Sequence, residues 1–268
     1  MKIFGILNIT EDSFSDGGKY LAPGAALARA RELVAMGADV LDIGAASSNP
    51  ESMGVAPEVE IGRLAPVVAA LRQDGVPVSI DSFAPQVQRW ALDQGVAYLN
   101  DIQGFPDAAL YAALAAAPCK LVVMHSVQER GRATRMRVPA AEIFDRIRRF
   151  FEVRIAALTA AGIARERLIL DPGMGFFLGS DAEASLTTLR RLGDLKNCFG
   201  LPLLVSVSRK SFVRALSGRP PQRAGAASLA AEIFAVSKGA AYIRTHDPEA
   251  LRDAFAVWKA LDGPAPAA

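Results

Sequence analysis

Short apolar runs recur along the chain: "KIFGILN", "DVLDIG", "VPVSIDS", "AYLNDI", "KLVVMH", "RLILDPG", "LPLLVSVS" and "AAYIRTH". They lack strict apolar/polar alternation, which is how strands read when both faces are covered, as in a parallel sheet. Between them apolar residues step by three or four. Ile61, Leu64, Val67 and Leu71 do so, as do Ile143, Ile147, Phe151, Ile155 and Leu158. Leu186, Leu189, Leu192 and Leu195 form a third such stripe, and Leu251, Phe255, Trp258 and Leu261 a fourth. Each predicts a helix with one buried face. Strand and helix alternate throughout, with no linker, charge run or low-complexity break. About eight such units in roughly 250 residues predict a single-domain α/β protein, the TIM or (β/α)8 barrel. Its span is residues 1–262, with residues 263–268 a loose tail. A doubly wound open sheet usually has fewer strands and often a Gly-rich nucleotide fingerprint, which the chain lacks.

In such barrels the site is built at the carboxyl ends of the strands. Those ends read Asn8, then Ser47 with Ser48, Asp81, Asn100 with Asp101, and His125 with Ser126. They continue with Asp171, Ser208 with Arg209 and Lys210, and Arg244 with His246. One polar strand end is ordinary, whereas a full ring of them argues for a site. A carboxylate at the mouth of an apolar barrel is costly unless paired. A structural ion pair would explain one aspartate, but Asp81 and Asp171 share the rim with Asn100 and Lys210. A carboxylate accepts two parallel N–H donors, an amide both donates and accepts, and an ammonium satisfies carbonyl or imine acceptors. That set suits a flat heterocycle with an aminopyrimidinone edge. Arg209, Lys210, Arg244 and His246 end strands 7 and 8, where barrel enzymes often hold phosphate, and can grip a leaving oxyanion. His125 reads as structural. Phe14, apolar in the polar first loop "NITEDSFSDGG", suggests a loop that closes over a ligand.

Composition narrows the partners. Thirty basic against 28 acidic residues leave a net charge of +2, which gives no reason to expect nucleic acid or a membrane surface. Cys119 and Cys198 have no metal-ligand spacing and read as reduced thiols of a cytoplasmic protein.

In order and spacing, "GILNITEDSFSDGG", "SIDSF", "YLNDI", "LDPGMGF", "SRKSF" and "IRTHD" resemble the dihydropteroate synthase family, from about Phe4 to Leu261. The resemblance implies a TIM barrel that condenses 6-hydroxymethyl-7,8-dihydropterin diphosphate with 4-aminobenzoate, giving 7,8-dihydropteroate and pyrophosphate. It implies Asp81, Asn100, Asp171 and Lys210 in the pterin pocket, with Asp171 on the aminopyrimidinone edge and Lys210 near O4 and N5. Ser48, Arg244 and His246 fall at the diphosphate, with Asn8 as the Mg²⁺ ligand, and Lys210, Arg244 and His246 carry the chemistry. Phe14, Pro50, Ser208 and Arg209 match groups around the aminobenzoate. Family members usually form homodimers through the last helices. Pyrophosphate leaves first in that chemistry and the aniline nitrogen then attacks, so no protein nucleophile is needed. Two other readings of a pterin-binding barrel are a methyltetrahydrofolate:corrinoid methyltransferase and a catalytically silent paralogue. Retention of Asn8, Lys210, Arg244 and His246 together favours the synthase.

The chain departs from the family pattern in its second loop, where "GESTRPG" becomes "GAASSNP", Gly44 to Pro50. Ala46, Ser48 and Asn49 replace the usual glutamate, threonine and arginine. "DPGMGFFLG" carries Phe176-Phe177 where one phenylalanine followed by glycine is usual. These changes resemble the sulfonamide-insensitive branch. The added bulk of Phe176 and Phe177 is expected to trim the space beyond the aminobenzoate carboxylate, where a sulfonamide's ring projects.

Overall fold

The computed structural model describes residues 1–10, 21–47, 54–128, 131 and 133–262. Strand β1 (Lys2–Asn8) leads to α1 (Pro23–Ala35), β2 (Val40–Gly44) to α2 (Pro57–Gln73), β3 (Val78–Asp81) to α3 (Pro85–Asp93), and β4 (Tyr98–Asp101) to α4 (Tyr111–Ala116). The second half runs β5 (Lys120–Met124), α5 (Ala140–Ala160), β6 (Leu168–Asp171), α6 (Ala182–Arg190) and α7 (Leu192–Phe199). It ends with β7 (Leu204–Val205), α8 (Ser211–Ser217), α9 (Gly225–Ser237), β8 (Tyr242–Thr245) and α10 (Pro248–Asp262). The strands are parallel, in the order β6-β5-β4-β3-β2-β1-β8-β7. A parallel bridge between Leu170 and Leu203 joins the two edges, with the Leu170 N–H donating to the Pro202 carbonyl at 3.0 Å. The sheet thus closes into the expected barrel. The predicted tail lies outside the described residues.

Local chemistry sets the helix ends. Pro23, Pro57 and Pro85 open α1, α2 and α3, where a missing N–H costs no helical hydrogen bond. Gly200 and Gly218 end α7 and α8 in the left-handed region, with φ of 60° and 64°. The stripe from Leu186 to Leu195 is not one helix. Arg191, at φ −103° and ψ 14°, interrupts it between α6 and α7. Leu189, Leu192 and Leu195 stay buried across the break, so the apolar period runs through it unchanged. No helix of the described residues is long and apolar enough to cross a membrane.

Alternation along each strand builds the lumen in layers. Leu41, Ile43, Leu121 and Val123 face the main core that the helices cover. Phe4, Val40, Tyr98, Val122, Ile169, Leu204 and Tyr242 instead form a separate buried cluster inside the barrel. Phe4 is its centre, edge-on to Tyr98 and Tyr242 at centroid distances of 5.0 and 5.6 Å. Two residues further along the same strands stand Asp42, Asn100, Asp171, Ser206 and Arg244. An apolar floor therefore lies directly under a polar ring. Replacing Phe4 by Ala should cost about 3–5 kcal/mol of unfolding free energy in urea; a loss below about 1 kcal/mol would mean that the floor is not tightly packed.

Candidate active site

The polar ring is organised by Arg244. Its side chain leaves β8, and its Nε donates to Oδ2 of Asp42 on β2. Its Nη2 donates to Oδ2 of Asp81 on β3 at 2.7 Å. Asn100 donates from Nδ2 to the same Asp42 oxygen at 3.3 Å. Burial alone would lower the Arg244 pKa; the carboxylates of Asp42 and Asp81 outweigh it and hold the guanidinium charged above its ordinary range. Asp42 completes the ring yet does not stand at a strand end, and the strand-end criterion missed it. The signal was present, since an acid embedded in "DVLDIG" has no cheap place in a strand buried on both faces.

Asp81, Asn100, Asp171, Ser206, Lys210 and Arg244 line one pocket, with Ile102, Met124, Met174 and Phe177 as its apolar wall. Asp171 accepts the Gly173 N–H at 2.8 Å through Oδ1. Gly173 sits at φ +74°, and a Cβ there would lie 2.3 Å from the His125 carbonyl oxygen, so only glycine makes this turn. Asn100 Oδ1 and Ser206 Oγ are buried without a hydrogen-bond partner. Buried polar atoms are seldom left so, and here both residues line this pocket.

Charge in this pocket is finely placed. Burial pushes Asp81 up to about 6 against the pull of Arg244, and pushes Asp171 up to about 6 against the Gly173 N–H and Lys210. Burial and the Arg244 charge lower Lys210 to about 8, still protonated at neutrality. The Lys210 Nζ lies 5.0 Å from the centre of the Phe177 ring, so Phe177 also seats the ammonium. Phe176 is half-buried and packs against the same apolar rim as Phe177.

A second group stands outside that pocket, at the ends of β7 and β8. His246 donates its backbone N–H to Ser208 Oγ at 3.3 Å, and its Nδ1 is 3.0 Å from the same oxygen. Burial, then the charges of Arg209, Arg244, Lys210 and Arg29, lower the His246 pKa well below its ordinary value. The imidazole is therefore neutral beside several cations. Arg209 adopts φ 57° and donates its backbone N–H to Ser228 Oγ at 2.9 Å. His125 is buried with its Nδ1 donating to the Pro172 carbonyl at 3.1 Å and its ring edge-on to Phe150, a packing role. Asn8 stands at the end of β1, in register with Gly44. Phe14, Ser48 and Pro50 lie outside the described residues.

A family model described as "Pterin binding enzyme" matches residues 4–246. The chain is 61% identical to a type-2 dihydropteroate synthase of Escherichia coli over 97% of this chain and 95% of that one. The chain belongs to the dihydropteroate synthase family. A solved dihydropteroate synthase of Xanthomonas albilineans with 4-aminobenzoic acid superposes with a TM-score of 0.89 at 35% identity, covering 98% of this chain and 94% of that one. The same organism's enzyme in complex with 7,8-dihydropteroate gives 0.82 at 32% identity, covering 98% and 94%.

Replacing Arg244 by Met leaves the Asp42 and Asp81 carboxylates facing each other without their cation. Breaking a buried pair in this way should cost about 3–5 kcal/mol. The cost should depend on pH. Asp81 ionises near its ordinary 3.8 when unfolded, but holds its proton to about 6 in the native state even with Arg244 present. Without Arg244 the native value rises further, so native stability falls as pH climbs above the unfolded value. The Tm deficit of the variant should be larger at about pH 8 than at about pH 5; an equal deficit would contradict this pairing.

Proposed function

We propose that the chain joins 6-hydroxymethyl-7,8-dihydropterin diphosphate to 4-aminobenzoate, with the pterin held in the pocket above the apolar floor. The observation that carries this reading is the convergence of Asp171, Asn100 and Lys210 on that one pocket. The Asp171 carboxylate suits the two N–H donors of an aminopyrimidinone edge, and the unpartnered Asn100 Oδ1 takes a ring N–H. Lys210 donates to O4 and N5. Arg244 has Nε and Nη2 committed to Asp42 and Asp81, which leaves Nη1 for a diphosphate oxygen. His246, Arg209 and Lys210 add donors and charge where negative charge grows on the leaving pyrophosphate.

The reaction breaks the bond from the pterin methylene carbon to the diphosphate oxygen, whose electrons go with pyrophosphate. The aniline nitrogen supplies the new bond to that carbon and loses a proton. Position and charge stabilisation suffice, with no protein nucleophile. Among the described residues no group of three or more His, Cys, Asp or Glu side chains could hold a metal ion. Mg²⁺ beside phosphates usually takes only one or two protein oxygens, with water and substrate completing its shell. The Asn8 carboxamide fits that need, and the ion would neutralise charge on the diphosphate. Ser208, Arg209, Phe176 and Phe177 border the aminobenzoate, while Phe14, Pro50 and Ser48 are assigned by resemblance alone.

The test is expression in a strain lacking its own synthase, grown without folate end products. Growth is expected; no growth with soluble, folded protein would overturn the assignment. In the same assay Phe177→Gly addresses sulfonamide tolerance. Two adjacent phenylalanines at the pocket rim should exclude the inhibitor's ring more than the substrate. The variant's half-inhibitory sulfamethoxazole concentration should fall by about tenfold or more, with a smaller change in the aminobenzoate KM. Unchanged tolerance ends the steric account.

A homodimer is also part of this reading, supported by a continuous apolar groove of Leu186, Leu189, Phe212, Val213, Leu216 and Phe234 on α6, α8 and α9. Leu216 and Phe234 are 63% and 39% exposed, high for large apolar side chains. Light scattering should give twice the mass of one chain, falling to one chain in Leu216→Glu. A monomeric wild type removes the proposal.

A further inference from the structure

The segment that carries β7 into α8 turns two of the pocket's donors toward one place. Leu204 belongs to the cluster inside the barrel, whereas Val205 and Val207 pack in the outer core, so alternation points Ser206 into the lumen. After Val207 the chain reverses. The Lys210 N–H donates to the Val207 carbonyl at 3.2 Å, with Arg209 at φ 57° inside the turn and its own N–H held by Ser228 Oγ. Ser206 before the turn and Lys210 after it therefore line the same pocket as Asp171 and Asn100.

Ser206 is only 6% exposed, and its Oγ has no hydrogen-bond partner among the described residues. The groups beside it are engaged elsewhere. Val205 pairs with Ile243, which sets the next residues, Ser206 and Arg244, side by side. Yet the Arg244 Nε and Nη2 reach across the lumen to Asp42 and Asp81. Asp171, on the adjoining strand β6, takes the Gly173 N–H. A buried hydroxyl without a partner costs stability. A serine standing among Leu204, Val205 and Val207 thus points to a partner that the protein itself does not supply.

We propose that the Ser206 hydroxyl is a binding group for the bicycle, donating to the ring carbonyl that Lys210 also reaches. The proposal rests on the function given above and adds a neutral donor to its pocket. A hydroxyl can donate or accept, and the ligand's own groups decide. The ligand's N–H groups already face Asp171 and the Asn100 Oδ1, whereas its carbonyl oxygen has two lone pairs and Lys210 fills one. That carbonyl adjoins the ring N–H of the edge facing Asp171, so a donor one strand beyond Asp171 meets it. Strand β7 stands there, joined to β6 by the bridge between Leu203 and Leu170. Two donors aimed at one oxygen select a carbonyl over an amino group at that ring position.

Binding of two probes to the full-length protein tests this: 2-amino-4-oxopteridine, and 2-aminopteridine, the same bicycle without the carbonyl. In Ser206→Ala the ligand-free Tm should hold or rise, because alanine removes an unpaired buried hydroxyl. The variant's Kd for the first probe should rise about five- to tenfold, and its Kd for the second should match that of the wild type. Equal weakening of both probes, or of neither, overturns the proposal. So does a ligand-free Tm lowered by about 4 °C or more, which would mean that the hydroxyl is bonded inside the protein. A wild type that binds neither probe removes the pterin reading itself, and the proposal with it.

Discussion

One guanidinium shared by two carboxylates allows this barrel to carry charge inside itself. Arg244 spans from β8 to Asp42 on β2 and Asp81 on β3, so the guanidinium and the two side-chain acids are paired inside the lumen. Buried charge is tolerated only when paired and hydrogen-bonded, and the barrel's alternation places the pairing one layer above an aromatic floor. With those groups paired among themselves, Asp171, Asn100, Ser206 and Lys210 line the pocket without being consumed by the pairing. Their unfilled hydrogen-bonding capacity is what a ligand would use. Arg244 thus has a structural duty that precedes any contact with substrate.

The pocket's ionisation values converge from opposite directions. Burial raises Asp81 and Asp171 to about 6, while burial and Arg244 bring Lys210 down to about 8. Between those values the acids are ionised and the lysine is charged, so the pocket presents acceptors and a donor together over a window near neutrality. The neighbouring corner works differently. There His246 is kept neutral by burial and by surrounding cations. The two halves of the site therefore differ in kind, one built on paired charge and the other on a neutral imidazole among cations, with Ser228 of α9 holding the Arg209 backbone behind the second.

The chain's pattern made the barrel legible because fully buried parallel strands and half-buried helices leave different periods. It made much of the site legible for a related reason: a polar residue closing an apolar run has few places to be except a strand end. Asp81, Asn100, Asp171, Lys210 and Arg244 meet as that logic requires. Asp42 escaped it by sitting inside its strand. The break at Arg191 was invisible because the apolar stripe is continuous through it. Phe177 was read as bulk, whereas its ring also faces the Lys210 ammonium, a contact that only three-dimensional proximity reveals. The roles given to Phe14, Ser48 and Pro50 depend on family pattern, since these residues lie outside the described part of the chain.

A crystal structure of this chain with bound 7,8-dihydropteroate bears most directly on the account. The bicycle should lie on the apolar floor's polar rim, with Asp171 and Asn100 on its aminopyrimidinone edge, Lys210 at O4 and N5, and Arg244 still bridging Asp42 and Asp81. A pterin bound away from Asp171, or an Arg244 that abandons both carboxylates to reach it, would contradict the claim that this ion web builds the binding site.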